Sequence, residues 1–216
     1  MTKHPTDEDI ARYFDGVIDC CAPRRDPGKR PGVKLARLLE KELRSAGLQD
    51  RSVLELGCGR GELSADLARA GAIRVTGMDL SSDNIAAARQ MASEDGLSDR
   101  VTFGVGNAAE ADLSPHDVVV HHRVICCYPD PKAFLRNSIG ATGNVYGFSM
   151  PRSSGIVGIV VRLVLLFENL GHRIKRRGFR AYVHDERLVD KAVRSAGFRL
   201  HGRSNRIGWF AAVYTK

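Results

Sequence analysis

The sequence predicts an α/β fold in which a largely parallel sheet carries helices on both faces. Three observations lead there. Short apolar runs, rich in β-branched residues, occur near 53–56, 74–79, 101–105 and 116–122 and alternate with segments whose apolar residues recur at helical spacing. The first run ends in a turn with glycine at alternate positions, Gly57, Gly59 and Gly61, and a helical pattern opens directly after it at Glu62. The second run ends in a carboxylate, Asp79, 18 residues beyond Gly61. A strand, a glycine turn, a helix and a second strand closed by an acid make a nucleotide half-site. The turn lets backbone approach a bulky ligand with no Cβ in the way, the first N–H groups of the helix point at that ligand, and the acid takes the two hydroxyls of a ribose.

Taken in order, residues 1–9 carry no pattern and read as weakly ordered. A short helix begins at Ile10 and carries Tyr13 and Phe14. The stretch 22–31 is basic and proline-rich, and reads as a solvated loop or a substrate lid. A helix at 33–46 sets Leu35, Leu38, Leu39 and Leu43 on one face and ends at Gly47. After the glycine unit, Ser81 or Asp83 caps a helix to about 94, with Ile85, Ala88 and Met91 inward. The third strand spans 101–107 and the fourth 116–122, followed by a helix at 131–139 and a fifth strand at 144–148. A last helix, capped by Asp185 and ended by Gly197, precedes a hairpin of strands at 198–203 and 207–214.

The segment 151–180 is unlike the rest. From Ile156 to Phe167 it is apolar almost all round, with Arg162 among the apolar residues, and it ends in Arg173, Lys175, Arg176, Arg177 and Arg180. The run falls short of the ~20 residues of a membrane span. Three readings stand: a helix buried against the sheet, an apolar cover over the substrate site with a cationic rim, or a helix on a membrane surface giving peripheral contact through 153–180. The expected division is therefore 1–48, N-terminal helices with a lid-like segment, and 49–216, the main domain with 151–180 as an insertion.

The glycine spacing departs from the dinucleotide fingerprint Gly-x-Gly-x-x-Gly, because Glu62 stands where its third glycine would be. Glu55, two residues ahead of Gly57, would repel a pyrophosphate and attract a cationic amino-acid tail. The pattern acid-x-Gly-x-Gly-x-Gly resembles motif I of the class I S-adenosylmethionine-dependent methyltransferases. That resemblance implies a Rossmann-like seven-stranded sheet of order 3-2-1-4-5-7-6, with the last strand antiparallel and helices on both faces. It implies S-adenosyl-L-methionine as cofactor. Glu55, Gly57, Cys58, Gly59 and Gly61 would line the methionyl part, and Asp79 with Leu80 would hold the ribose. Asn107 stands where the family often has Asp, and its amide oxygen would accept from the adenine amino group; Ala108 would lie near the ring. Tyr13 would help close the pocket, and His121 would lie near the sulfonium.

Shorter pieces resemble the magnesium-protoporphyrin IX O-methyltransferase group: Tyr13-Phe14-Asp15, the strand leading to Tyr128-Pro129, and Arg180-Ala181-Tyr182 with His184. Arg123 stands where that group carries an acid after the fourth strand, and Cys127 where it carries His before Tyr-Pro. The expected acceptor is therefore another small apolar molecule, anionic if Arg123 anchors it.

Methyl transfer needs the acceptor's lone pair in line with the S–CH3 bond and water kept out. A carboxylate acceptor needs no base, whereas a phenol or amine gains from one. His121, His122 and His184 are the candidate bases; the first two alternate faces of a strand end, so at most one points into the pocket. Arg123, Tyr128 and Tyr182 are candidate substrate residues. No His, Asp and Glu grouping has metal-ligand spacing, so no metal is expected.

The net charge of +8 fits an acidic substrate, an anionic membrane or RNA. RNA methylation is the main alternative. Against nucleic acid, the loop Cys127-Tyr128-Pro129-Asp130 has no likeness to the Asn-Pro-Pro-Tyr segment that amino-group methylating nucleic-acid enzymes often carry. A cofactor-binding module without turnover and, more distantly, a NAD-dependent reductase complete the alternatives. The cysteines Cys20, Cys21, Cys58, Cys126 and Cys127 match neither a zinc spacing nor a disulfide framework, and the N-terminus opens without an apolar run. Together these point to reduced thiols in the cytoplasm.

Overall fold

The computed structural model describes residues 5–16 and 32–216. The stretch 22–31, read as a lid, lies outside the described residues. The strands are β1 (Ser52–Leu56), β2 (Arg74–Asp79), β3 (Val101–Val105), β4 (His116–His122), β5 (Thr142–Pro151), β6 (Arg199–Arg206) and β7 (Trp209–Thr215). The helices are α1 (Asp7–Gly16), α2 (Val33–Ser45), α3 (Glu62–Arg69), α4 (Ser82–Glu94), α5 (Lys132–Gly140), α6 (Gly155–Ile174) and α7 (Glu186–Ser195). The strands form one sheet in the order β3-β2-β1-β4-β5-β7-β6, as the resemblance implied. From β3 to β5 all pairs are parallel. β7 runs against both its neighbours, so the reversed strand lies inside the sheet and β6 forms the edge.

Strand alternation divides the interior into two layers. Val53, Val118 and Val120 face Leu35, Leu39 and Leu43 of α2 and Leu63 and Leu67 of α3. Leu54, Leu56 and Val119 face the opposite way, onto Phe134 and Leu135 of α5 and Val189 and Val193 of α7. The caps follow sequence logic: Ser81 Oγ accepts from Asn84 N, and the Asp185 carboxylate accepts from Arg187 N. α1 begins at Asp7, three residues before the expected start. Thr6 and Asp9 close its first turn reciprocally, with Asp9 N donating to Thr6 Oγ1 at 3.2 Å and Thr6 N to Asp9 Oδ2 at 3.0 Å.

Two expectations for 151–180 are corrected. α6 is not buried: Gly158 is its one buried residue. Nor is the run short, since the helix continues past Glu168 and Asn169 to a full length of 20 residues and is long and apolar enough, by length and composition, to cross a membrane.

Gly61 is also reassigned. Its φ is +79°, and a Cβ there would lie 2.5 Å from Cζ of Phe103 and 3.2 Å from the Cβ of Ala88. It lets the start of α3 close onto the neighbouring strand and helix, rather than facing a ligand. Gly61→Ala should therefore destabilise by about 2–4 kcal/mol, combining left-handed strain and overpacking. A urea midpoint that falls with the slope unchanged is the expected measurement.

Candidate functional site

The order of strands reverses between β1 and β4, and a crevice opens at their carboxyl ends. Gly57 N and Cys58 N both donate to the Met78 carbonyl, at 2.7 and 3.0 Å. Gly59 N donates to Asp79 Oδ2 at 2.8 Å, and Ser81 N donates to Asp79 Oδ1 at 2.9 Å. The glycine turn is thus hung on the end of β2. Gly59 has φ +52°, and a Cβ there would meet nothing within 4 Å, because the residue borders open cleft. Glu55, 2% exposed, turns toward α3 and accepts from Ser64 Oγ at 2.5 Å. Burial pushes its carboxyl up to about 8. Burial also raises Asp79, against the pull of its two backbone N–H donors.

The cleft has a volume of about 1000 Å³, at the upper end of small-molecule sites. Its lining carries Glu55, Gly59, Asp79 and Leu80, the side chains of Val124, Cys126, Tyr128, Leu165, Phe179 and Trp209, the cations Arg37, Arg123 and Lys175, and the acids Glu62, Asp66 and Glu168. α1 and α6 meet over it. Tyr13 stacks on Phe179 with centroids 4.3 Å apart, and His172 meets both rings edge-on, at 5.3 and 5.5 Å. α1 is tied down by Ser81 Oγ donating to Asp15 Oδ1 at 2.5 Å and by Asn107 Nδ2 donating to Asp7 Oδ2 at 2.7 Å.

A family model described as a methyltransferase domain matches residues 49–161, the stretch that holds the turn, Asp79 and the β4 end. The chain belongs to the methyltransferase domain family. Its class is that of the S-adenosylmethionine-dependent methyltransferases with motif I, and S-adenosylmethionine is the family's cofactor. Ubiquinone biosynthesis O-methyltransferase of Sodalis glossinidius (strain morsitans) is 38% identical over 107 residues, which cover 48% of this chain and 41% of that one. The match spans about two fifths of the length of such curated relatives. Among solved structures, magnesium protoporphyrin IX methyltransferase (ChlM) from Synechocystis PCC 6803 with bound SAH superposes with a TM-score of 0.73 at 21% identity, covering 97% of this chain and 98% of that one. The [4+2]-cyclase SpnF gives the same TM-score at 16% identity, with coverage of 99% and 97%. These two likenesses are likenesses of fold.

In this methyltransferase domain the sequence-assigned residues divide into two groups. Tyr13, Glu55, Gly57, Cys58, Gly59, Asp79, Leu80 and Ala108 line the cleft, as do His122, Arg123 and Tyr128. Gly61, Asn107, His121, His184 and Tyr182 are not on its lining. Asn107 spends its amide oxygen on Ala109 N at 3.0 Å and on Tyr128 Oη at 3.2 Å, so it organises the loop rather than waiting for an adenine. His121 is fully buried on the α5 face, stacked on Phe148 and paired through Nε2 with Tyr146 Oη at 3.1 Å. Burial holds it at about 3, so it is a neutral core residue and neither a base nor a cofactor contact.

His184 also leaves the list of bases. Its Nε2 reaches two carbonyls, of Ile125 at 3.1 Å and Tyr128 at 2.9 Å. Carbonyls only accept, so that nitrogen carries the proton and clamps the loop after β4 from behind. Tyr182 works on the same loop through its backbone, donating from N to Cys126 O at 2.8 Å, while Arg180 stacks over its ring at 5.5 Å.

His122 keeps the position in the cleft but not the chemistry of a base. Ser149 Oγ accepts from Arg123 N at 3.1 Å and lies 2.8 Å from His122 Nδ1. We assign the serine proton to that nitrogen, which leaves Nε2–H as a donor. Burial, then the Arg123 charge, hold His122 at about 3. Arg123 itself sits at φ +62° and lies 5.1 Å over the ring of Trp209. The sequence reading missed Arg37, Trp209 and Phe179, and it offered α6 as a cover without saying which face would line the cleft. A signal for the last existed: Leu165, Glu168, His172 and Lys175 recur every three or four residues.

Gly59→Asn tests the cradle. Asn tolerates the left-handed region, so the turn should survive with a cost of about 1 kcal/mol. Its side chain fills the open space, and calorimetry should show S-adenosylmethionine affinity falling more than about tenfold.

Proposed function

We propose that this chain transfers the methyl group of S-adenosylmethionine to a small apolar acceptor that carries an anionic group, at oxygen or nitrogen, by positioning rather than by base catalysis. The observation that carries the reading is the lining of one cleft, where Glu55, Asp79 and the bare Gly59 stand together with apolar walls, the cations Arg37, Arg123 and Lys175, and the acids Glu62, Asp66 and Glu168.

The residues present fit the cofactor. Glu55 is a buried carboxyl raised to about 8, with a serine hydroxyl but no cation beside it, and a cationic amino-acid tail is the partner that would restore its charge. Glu55, Gly57, Cys58 and Gly59 would hold the methionyl part, Asp79 and Leu80 the ribose, and Ala108 would lie beside the base. When bound, the cofactor supplies a methyl already activated on a sulfonium. The chain's own part is alignment and exclusion of water. Proximity of this kind contributes ~7–11 kcal/mol.

At the acceptor end, Val124, Leu165, Phe179 and Trp209 desolvate an apolar body. Arg123 and His122 Nε2–H are donors, and cationic side chains favour the ionised form of a carboxylate or phenol. An acceptor bound as its anion has no proton to surrender at the reacting atom. The relative named as an O-methyltransferase supports oxygen as that atom. The cysteines Cys58, Cys126 and Cys127 stand as free thiols, which supports a reducing, cytoplasmic setting.

Incubation with methyl-labelled cofactor and fractionated metabolites tests the activity. Label should enter an apolar, anion-exchanging fraction; label in RNA, or in nothing, overturns the reading.

Binding also has a pH signature. Below about 8 the Glu55 carboxyl holds a proton that a cationic ligand must displace. Affinity for S-adenosylmethionine should therefore rise with pH toward about 8 and fall again above it, as the ligand's own α-ammonium loses its proton. Calorimetry in buffers of different ionisation enthalpy should show close to one proton released well below that value. Glu55→Gln should abolish the release and weaken binding roughly ten- to 100-fold.

A further inference from the structure

We propose that the outward face of α6 docks the chain on an anionic lipid bilayer, with the helix lying in the plane of the headgroups beside the mouth of the cleft. Of the fifteen large apolar side chains exposed among the described residues, ten lie on this helix. They are not scattered. Ile156, Ile159, Leu163, Phe167, Leu170 and Ile174 follow one another at steps of three or four and form one stripe, with Phe167 70% and Ile156 81% exposed.

Four of the five polar side chains of α6, all but Arg173, reach the protein. Glu168 and His172 line the cleft, Arg162 Nη1 donates to Ser153 O at 2.7 Å, and Asn169 brackets Ala181 with two bonds of 2.8 Å. A water-facing helix has the reverse arrangement. This helix is inverted, and its outer stripe is built for an apolar medium.

The surrounding charge selects the bilayer over a second copy of the chain. Arg173 and Arg176 flank the end of the stripe and are exposed; Lys175, Arg177 and Arg180 are exposed beside them, the first two also on the cleft lining. Glu168 is the single acid between 155 and 180, and it faces the cleft. A second copy would bring apolar surface but no acid from this segment to meet those cations, whereas anionic headgroups supply both. The helix lies on the bilayer rather than crossing it, because its flank is fastened at three levels. Ser153 N and Ser154 N donate to Glu186 Oε1 at 2.7 and 3.2 Å before its first turn, Arg162 bonds in the middle, and Asn169 bonds near the end. Leu165, on the other side of the same helix, and Lys175, just past its end, line the cleft. Docking therefore sets the cleft mouth against the lipid. That an apolar acceptor enters from there rests on the methyl-transfer reading; the docking does not.

Sedimentation of the full chain with phosphatidylcholine vesicles, with and without phosphatidylglycerol, tests it. The chain should pellet with the anionic vesicles, at least about tenfold more tightly than with the neutral ones, and salt should weaken it. Phe167→Glu with Leu163→Glu should cost about tenfold or more, and Arg173→Ala with Arg176→Ala should remove the preference for phosphatidylglycerol. Each variant should bind S-adenosylhomocysteine like the parent, which shows an intact fold and keeps this result separate from the fate of the transfer assay. Four outcomes overturn the proposal: parent protein left in the supernatant, Glu variants that bind as tightly as the parent, a stable dimer that the Glu variants split, or resistance to alkaline carbonate, which marks a spanning helix.

Discussion

Asp79 accepts one backbone N–H on each carboxylate oxygen, and most of the site is assembled through those two bonds. One comes from Gly59 in the turn after β1, the other from Ser81 at the start of α4. Ser81 then caps α4 through Asn84 N and donates to Asp15 of α1. A single run of hydrogen bonds thus joins the glycine turn, two strand ends, a helix start and the N-terminal helix that roofs the cleft. Burial makes the ionised carboxylate costly, and the two N–H donors offset part of that cost. The acid closing β2 is a frame for the turn, so removing its side chain would loosen the turn as well as the ribose contact proposed for it.

The half-site was legible because its parts lie within 25 residues and each has a local cause. Alternate glycines at φ +67°, +52° and +79° mark the turn, and Asp79 marks the strand end. The sheet order followed from the resemblance these residues carry. The histidines were legible only as far as strand alternation goes: His121 and His122 had to face opposite ways, and the choice needed the register. β1 and β4 pair Leu56 with His121 and Glu55 with Val120, which sets His121 among the α5-side residues and His122 on the Glu55 side. His184 was not legible as a clamp, since its carbonyl partners, Ile125 and Tyr128, lie more than 50 residues earlier. The buried reading of α6 failed for a different reason. Apolar residues all round suggest burial, and only the sparse polar positions, all on one side, say which side meets the protein.

The roof joins segments that are remote in sequence. Tyr13 comes from α1, whereas His172 and Phe179 come from the end of α6 and the loop after it, and their rings contact one another at 4.3–5.5 Å. Asp7 and Asp15 fasten α1 at both ends, to Asn107 beyond β3 and to Ser81 beyond β2. Asn107 in turn accepts from Tyr128, whose carbonyl His184 holds. The residue placed by resemblance at the adenine is thus a junction between the roof and the loop after β4. That accounts for an amide here: it donates to Asp7 while it accepts from Ala109 and Tyr128, and a carboxylate could not donate at all.

The acceptor end follows the same logic of committed donors. His122 is held neutral with its remaining N–H as a donor, and Arg123 is fixed in the left-handed region by Ser149, whose carbonyl accepts at 3.3 Å and whose hydroxyl accepts at 3.1 Å from its backbone N. Tyr128 donates to Asn107, and burial raises its phenol far above neutrality. None of the three can take a proton near pH 7. A base is worth about 10²–10⁴-fold only when the acceptor arrives with a proton to lose. Beside Arg123 an acceptor that is already ionised is favoured, and on the proposed reading the alignment enforced by the apolar walls supplies what a base would not. His121, His122 and His184, the bases the sequence suggested, are each committed to other partners, which fits the proposed transfer to an acceptor anchored by Arg123.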